Sequence, residues 1–156
     1  MKTKYIFLLF LCLASAQLSF AQSNSKLFDR YADMDGVTSV YISKAMFQMM
    51  PNIETAGLKL ANLKGKIESL QVLTTERKDL TEKMQEEFSR FVTKQHAELM
   101  RVRDEKTKAT FYAHMQGERV KDLIMLANTE EGFTVIQLLG NFTLQDVQEI
   151  TGAMSK

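Results

Sequence analysis

Four short runs, AELMRVRD, KATFYAHMQ, VKDLIMLAN and FTVIQLLGN, fill residues 97–141 of the chain. Between them stand only Glu105-Lys106-Thr107, Gly117-Glu118-Arg119 and Thr129-Glu130-Glu131-Gly132. Each run is rich in β-branched, aromatic or alternating apolar residues, the composition of a pleated, half-buried strand. A parallel crossover takes roughly a dozen residues or more, so connections this short force antiparallel neighbours. The second half of the chain therefore reads as a four-stranded meander, and the rest of the fold must be built around it.

Two more strands come earlier. VTSVYISKAMFQMM, residues 37–50, is dense in β-formers and stops at Pro51, the one proline; KIESLQVLTT, residues 66–75, puts Leu70 and Val72 on one face. Residues 52–64 fit either a short helix or a folded loop. Helical spacing appears three times. Leu27, Phe28, Tyr31 and Met34 follow a cap at Ser25 and end near Gly36; Leu80, Met84, Phe88 and Phe91 follow the capping-box pattern Asp79-Leu-Thr-Glu82 and run to about Lys94. Leu144, Val147, Ile150 and Met154 follow a cap at Thr143. The order is α-β-β-α-β-β-β-β-α. The expected fold is α+β, an antiparallel sheet of about six strands with helices packed mainly on one face.

The amino terminus carries a different message. Lys2 and Lys4 precede an uncharged run from Tyr5 to Ala14, too short to span a bilayer, and small-x-small exits follow at Ala16 and Ala21. This is the pattern of a secretory signal peptide, residues 1–21, cleaved after Ala21 or, less centrally, after Ala16. Residues 22–156 then form a single exported domain with no later transmembrane segment. Cys12, the only cysteine, lies in the apolar run without the small residues that lipidation needs, and it leaves with the leader. The mature chain has no disulfide, thiolate or cysteine metal site. The formal charge of +1 turns weakly negative once Lys2 and Lys4 are gone. That balance argues against nucleic acid or an anionic membrane surface as partner.

LFDRYADMDGVTSVYISKAMFQMM, the later VKDLIMLAN and the closing GNFTLQDVQEIT resemble a family of small exported bacterial proteins, the domain of unknown function 4252. The resemblance spans essentially the whole mature chain. It implies a Gram-negative envelope protein, periplasmic or surface-associated, in an envelope-signalling setting. It carries over no activity, cofactor or catalytic residue.

The chemical motifs are sparse. Asp33-Met34-Asp35-Gly36 looks like half of a calcium loop. Placing Gly36 at loop position 6, however, puts Tyr31 and Ile42 where positions 1 and 12 need oxygen ligands. The aspartates read as turn formers and Gly36 as a helix C-cap. Met46, Met49 and Met50 have the M-x-x-M spacing of Cu(I) binders, with soft thioether ligands. On a strand, though, Met46 and Met49 would face opposite ways, and methionine is a good core filler. His96-Ala-Glu98 has the H-x-E form of zinc deaminases without their cysteines. With His114 it makes only two histidines, expected as surface or edge residues, where zinc needs three or four ligands. No G-x-S-x-G or S-x-x-K surrounds Ser39, Ser43, Ser69 or Ser89. Arg101 and Arg103 share a strand face, a solvated surface or else a groove for an anionic ligand. Asn141-Phe-Thr143 matches a glycosylation sequon, but the two polar residues suit a turn and a cap.

The expected function is therefore binding, not catalysis, with no cofactor: an exported interaction protein whose partner is another envelope protein or a second copy. Val37, Tyr41, Phe47 and Met49, on one face of strand 37–50, are the candidate contact patch. The competing reading is a small-ligand protein or hydrolase whose pocket is assembled from distant residues, Arg101 and His114 among them; a methionine-based Cu(I) binder stands behind it.

Overall fold

The computed structural model describes the backbone of residues 19–50, 54–55, 58–60, 63 and 65–152, and the side chains of residues 26–50, 60, 63 and 65–150. The apolar leader run, Cys12, the exit at Ala16, Pro51 and Met154 lie outside the described residues. The chain divides between Asp35 and Gly36 into two compact units.

The first unit contains helix α1, Ser19–Ala32. It starts before the cap expected at Ser25, and no glycine or proline interrupts residues 19–32. Asp33 and Met34 unwind it through backbone bonds to Asp29 and Tyr31. The turn out runs through Gly36, whose φ of +86° only glycine adopts cheaply. The glycine thus makes the turn as expected, but four residues beyond the helix end.

The second unit is built on a six-stranded sheet in the order β1-β4-β8-β7-β6-β5, every pair antiparallel. The strands are β1 Thr38–Ser43, β4 Ile67–Thr75, β5 Ala97–Arg103, β6 Thr107–Gln116, β7 Arg119–Thr129 and β8 Phe133–Phe142. A two-residue pair, β2 Glu54–Thr55 with β3 Leu58–Lys59, stands apart. The meander β5-β6-β7-β8 is as the short turns require. The α+β class holds, and so does the element order once a short helix and a two-residue hairpin are added between β1 and β4; the helices, expected mainly on one face, cover both.

Registers across all six strands line up whole rows of side chains. Val40, Val72, Ile136, Met125, Phe111 and Met100 form one row, and Ile42, Leu70, Leu138, Leu123, Ala113 and Ala97 the next. This face is almost entirely apolar. Two short helices sit against it: α2, Lys44–Met49, which inserts Phe47, and α4, Leu144–Gly152, which inserts Val147 and Ile150. The largest piece of helical cover, α3 at Lys78–Gln95, lies on the opposite face over β7 and β8. Leu80, Met84 and Phe88 are buried, as their spacing predicts, but the fourth buried residue is Val92, with Phe91 only half-buried. Leu73, Leu126, Ile124 and Val135, on that opposite face, are buried too. The central strands β4, β7 and β8 are thus apolar on both sides, the pattern of a sheet covered twice.

Two expectations about local structure are corrected. Strand 37–50 is a strand only to Ser43; there the Ser43 Oγ accepts the Met46 N–H at 3.4 Å and caps α2. The β-branched residues end at Ile42, and Lys44 to Met49 are mostly good helix formers. Helix α3 does not use the Asp79–Glu82 capping box. It begins at Lys78, one residue earlier, with Arg77 at its cap and no side-chain cap bond. Asp79 instead accepts two bonds from the Arg77 guanidinium, at 3.1 and 2.7 Å, which hold its carboxyl below the usual range.

The cap of α4 does form. The Thr143 Oγ1 accepts the Asp146 N–H at 3.1 Å while the Asp146 carboxylate accepts the Thr143 N–H at 2.7 Å, a reciprocal box. Lys66 adds an ion pair to the same carboxylate at 2.6 Å. Burial pushes the Asp146 carboxyl up, but the Lys66 and Thr143 bonds outweigh it and hold it below its ordinary value.

Candidate functional site

Strand β1 is an edge strand, and no described strand pairs with its outer side. Its residues are exposed or at most half-buried, with Tyr41 at 64% and Val40 at 41%. The patch drawn on one strand face comes apart. Val37 is half-buried, Phe47 is 1% exposed inside the core, and Met49 at 78% exposure belongs to α2. The turn from strand to helix at Ser43 is the reason. Tyr41, on the sheet face opposite α2, and Met49 remain exposed; Val40, Met46 and Met50 are exposed as well.

The same turn changes the methionine geometry. Met46 and Met49 do not oppose each other on a strand. On α2 they are three residues apart, a spacing that shares a helix face, and Met50 follows at the C-cap. Among the described residues no group of three His, Cys, Asp or Glu side chains could hold a metal ion.

The two histidines meet, ring centroids 5.8 Å apart and edge-on, but only one of them reaches the surface. His114 is exposed, as expected, and its Nδ1–H donates to the Gln95 carbonyl at 2.9 Å. His96 is not a surface residue: its side chain is fully buried. It closes α3, donating its backbone N–H to Val92, and the chain then drops directly into β5, so the ring lands between helix and sheet. There Asp122 on β7 meets it. The Asp122 carboxylate can only accept, so His96 Nε2 carries the proton, at 3.0 Å; Gln137 on β8 donates to the same oxygen, also at 3.0 Å. His96 Nδ1 and Asp122 Oδ1 find no hydrogen-bond partner among the described residues. The sequence carried one signal for this cluster: Asp122 and Gln137 each interrupt a continuous apolar strand, which a buried polar group does only with a partner.

Arg101 and Arg103 share a sheet face but border two adjoining hollows. Arg101 lines a cavity of about 80 Å³ between α3 and the sheet, with Gln85, Ser89, Lys108, Thr110, Tyr112, Leu126, Asn128 and Phe133. Register explains the set. Arg101, Thr110 and Leu126 lie side by side on β5, β6 and β7, and Lys108, Asn128 and Phe133 make the neighbouring row on β6, β7 and β8. Gln85 and Ser89, one turn apart on α3, make the wall. Arg103 instead borders a shallower depression at the strand ends, with Asp104, Lys106, Lys108 and Glu130. His114 belongs to neither. Asn141 is structural: its Oδ1 accepts from Arg119 at 3.1 Å and Lys121 at 2.9 Å, tying β7 to β8.

Among the described residues, fold and sites define a small α+β protein with a twice-covered antiparallel sheet, an exposed edge strand and a polar cavity under α3. Residues 31–150 match the family described as Domain of unknown function (DUF4252), and the chain belongs to it. No curated protein and no solved structure matches it.

Proposed function

We propose that this chain is an exported protein of the bacterial cell envelope that works by holding a protein partner at β1 and α2, not by catalysis. One observation carries the reading: Tyr41 and Met49 stand 64% and 78% exposed on an edge strand and the helix that continues from it. Apolar surface left in water costs about 25 cal/mol per Å² relative to burial. An edge strand also presents unpaired N–H and C=O groups, which natural sheets usually guard with charge or proline. Thr38–Ser43 carries neither. The occupant that suits both features is an extended segment of a partner, adding a strand to the edge and seating apolar side chains on the methionines. The amino-terminal leader supports export.

The test uses the full chain in the cells that make it, with a photo-crosslinking residue at Tyr41 or Met49 and, as control, at Glu105 on the far edge. A defined heteromeric adduct from the first two positions and not the third is the expected result. A crosslinked dimer would make a second copy the occupant, and adducts that do not depend on position would overturn the reading. Mass measurement of the recovered chain checks export, with Gln22 as the expected first residue and an intact Met1 as the contrary result.

A further inference from the structure

We infer that the cavity between α3 and the sheet is a binding site for a compact oxyanion of the phosphate class. The cavity, about 80 Å³, has room for several waters or for one small group. Its lining is chemically one-sided. Lys108 and Arg101 bring positive charge, Ser89, Thr110 and Tyr112 bring hydroxyls, Gln85 and Asn128 bring amides, and no carboxylate is among the lining residues. Every polar lining side chain can donate a hydrogen bond.

Those donors are also unspent. The side chains of Gln85, Ser89, Lys108, Thr110, Tyr112 and Asn128 bond to no other described residue. Thr110 is nevertheless 6% exposed, and Leu126 and Phe133 close the floor at 6% and 1%. The other donors reach the opening from exposed or half-buried positions, so they are available to water or to a bound group. Arg101 gives one bond to Glu98 at 2.7 Å and keeps the rest of its five N–H donors. Lys108 pairs with no described carboxylate, so the site carries a net positive charge. Arg103 lies opposite Lys108 in register, in an adjoining hollow where Asp104, Glu105 and Glu130 balance its charge and that of Lys106 and Lys108. A cation would be repelled here and a neutral ligand would leave the ammonium uncompensated; a small oxyanion answers charge, size and donors together.

The site is separate from the β1 edge, so it stands whether or not a partner docks there. Calorimetric titration of the full chain with inorganic phosphate, against sodium chloride at matched ionic strength, tests it, with glycerol 3-phosphate as a second probe. Saturable one-to-one binding is expected. Tighter phosphate would mark the free ion as ligand, and tighter ester a phosphoryl group carried on a small molecule. Lys108→Met, at an exposed position, should weaken binding about tenfold to a hundredfold, the worth of one charge-assisted bond. Ser89→Ala gives a second, milder loss, while Lys106→Met, outside the cavity, should bind as the parent does. Absence of saturable binding by either probe would overturn the assignment, as would a Lys108→Met chain that binds undiminished.

Discussion

Asp122 is the position whose loss should unsettle the second unit most for its size. Its Oδ2 accepts from His96 Nε2 and Gln137 Nε2, both at 3.0 Å, in a place where the His96 side chain is fully buried and that of Asp122 is 6% exposed. Asp122→Ala leaves two buried donors with nothing to meet. Each orphaned donor costs about 1–3 kcal/mol, so the substitution should cost about 2–6 kcal/mol, a large part of a total stability of about 5–15 kcal/mol. With a urea m-value of about 2 kcal/mol/M, the midpoint should fall by about 1–3 M. The cluster is already incomplete, since His96 Nδ1 and Asp122 Oδ1 lack described partners. Removing all of it should therefore hurt less than removing its centre. The triple variant His96→Phe, Asp122→Leu, Gln137→Leu should unfold at a higher urea concentration than Asp122→Ala alone. Urea titrations followed by circular dichroism decide it. A single variant that costs under about 1 kcal/mol, or a triple variant showing simple addition of losses, would refute the reasoning.

Three further outcomes follow from particular contacts. A Cβ on Gly132 would overlap the backbone carbonyl oxygen of Thr75, and main chain cannot swing aside, so Gly132→Ala should lower the urea midpoint by the equivalent of about 1–3 kcal/mol. Phe88→Ala, at 0% exposure on the inner face of α3, should cost about 3–5 kcal/mol in the same assay. Asp146 is held below its ordinary carboxyl value by Lys66 and Thr143 against the pull of burial. Its contribution is therefore complete above the unfolded value of about 4 and is lost as pH falls through the lower folded value. The stability gap between the parent and Asp146→Asn should be wide at pH 5 and narrow at pH 2.5, measured by urea midpoints at each.

Much of this was legible where the chain signals locally. Short polar turns fixed the meander, the Leu80–Met84–Phe88 stripe fixed α3, and Thr143 announced the cap of α4 that its hydroxyl makes. The errors have equally local causes. VTSVYISKAMFQMM reads as one strand because valine, isoleucine and aromatics dominate its average. The decisive residue is Ser43, whose hydroxyl caps a helix of six residues too short to show a period. That one turn moved Phe47 from a surface patch into the core. The cavity was half visible. Arg101 stood out by charge, but Thr110, Lys108 and Asn128 come together only through the register of β5, β6 and β7, which no window of sequence contains. His96 and Asp122, paired across 26 residues, were hidden for the same reason.

The strand order also sets an order of assembly. Strands β5 to β8 pair with their sequence neighbours, so each hairpin closes over a few residues and should form early. The pairing of β4 with β8 is of another kind: Thr74 and Thr134, hydrogen-bonded across that seam at 3.1 Å, lie 60 residues apart. Closing that loop costs chain entropy before any contact rewards it. Until it closes, the meander holds β8 as a bare rim with Ile136 and Leu138 on one side and Val135 on the other. The β4–β8 seam should therefore close last in building the sheet and part first in a weakened variant, taking with it β1, whose one described strand partner is β4.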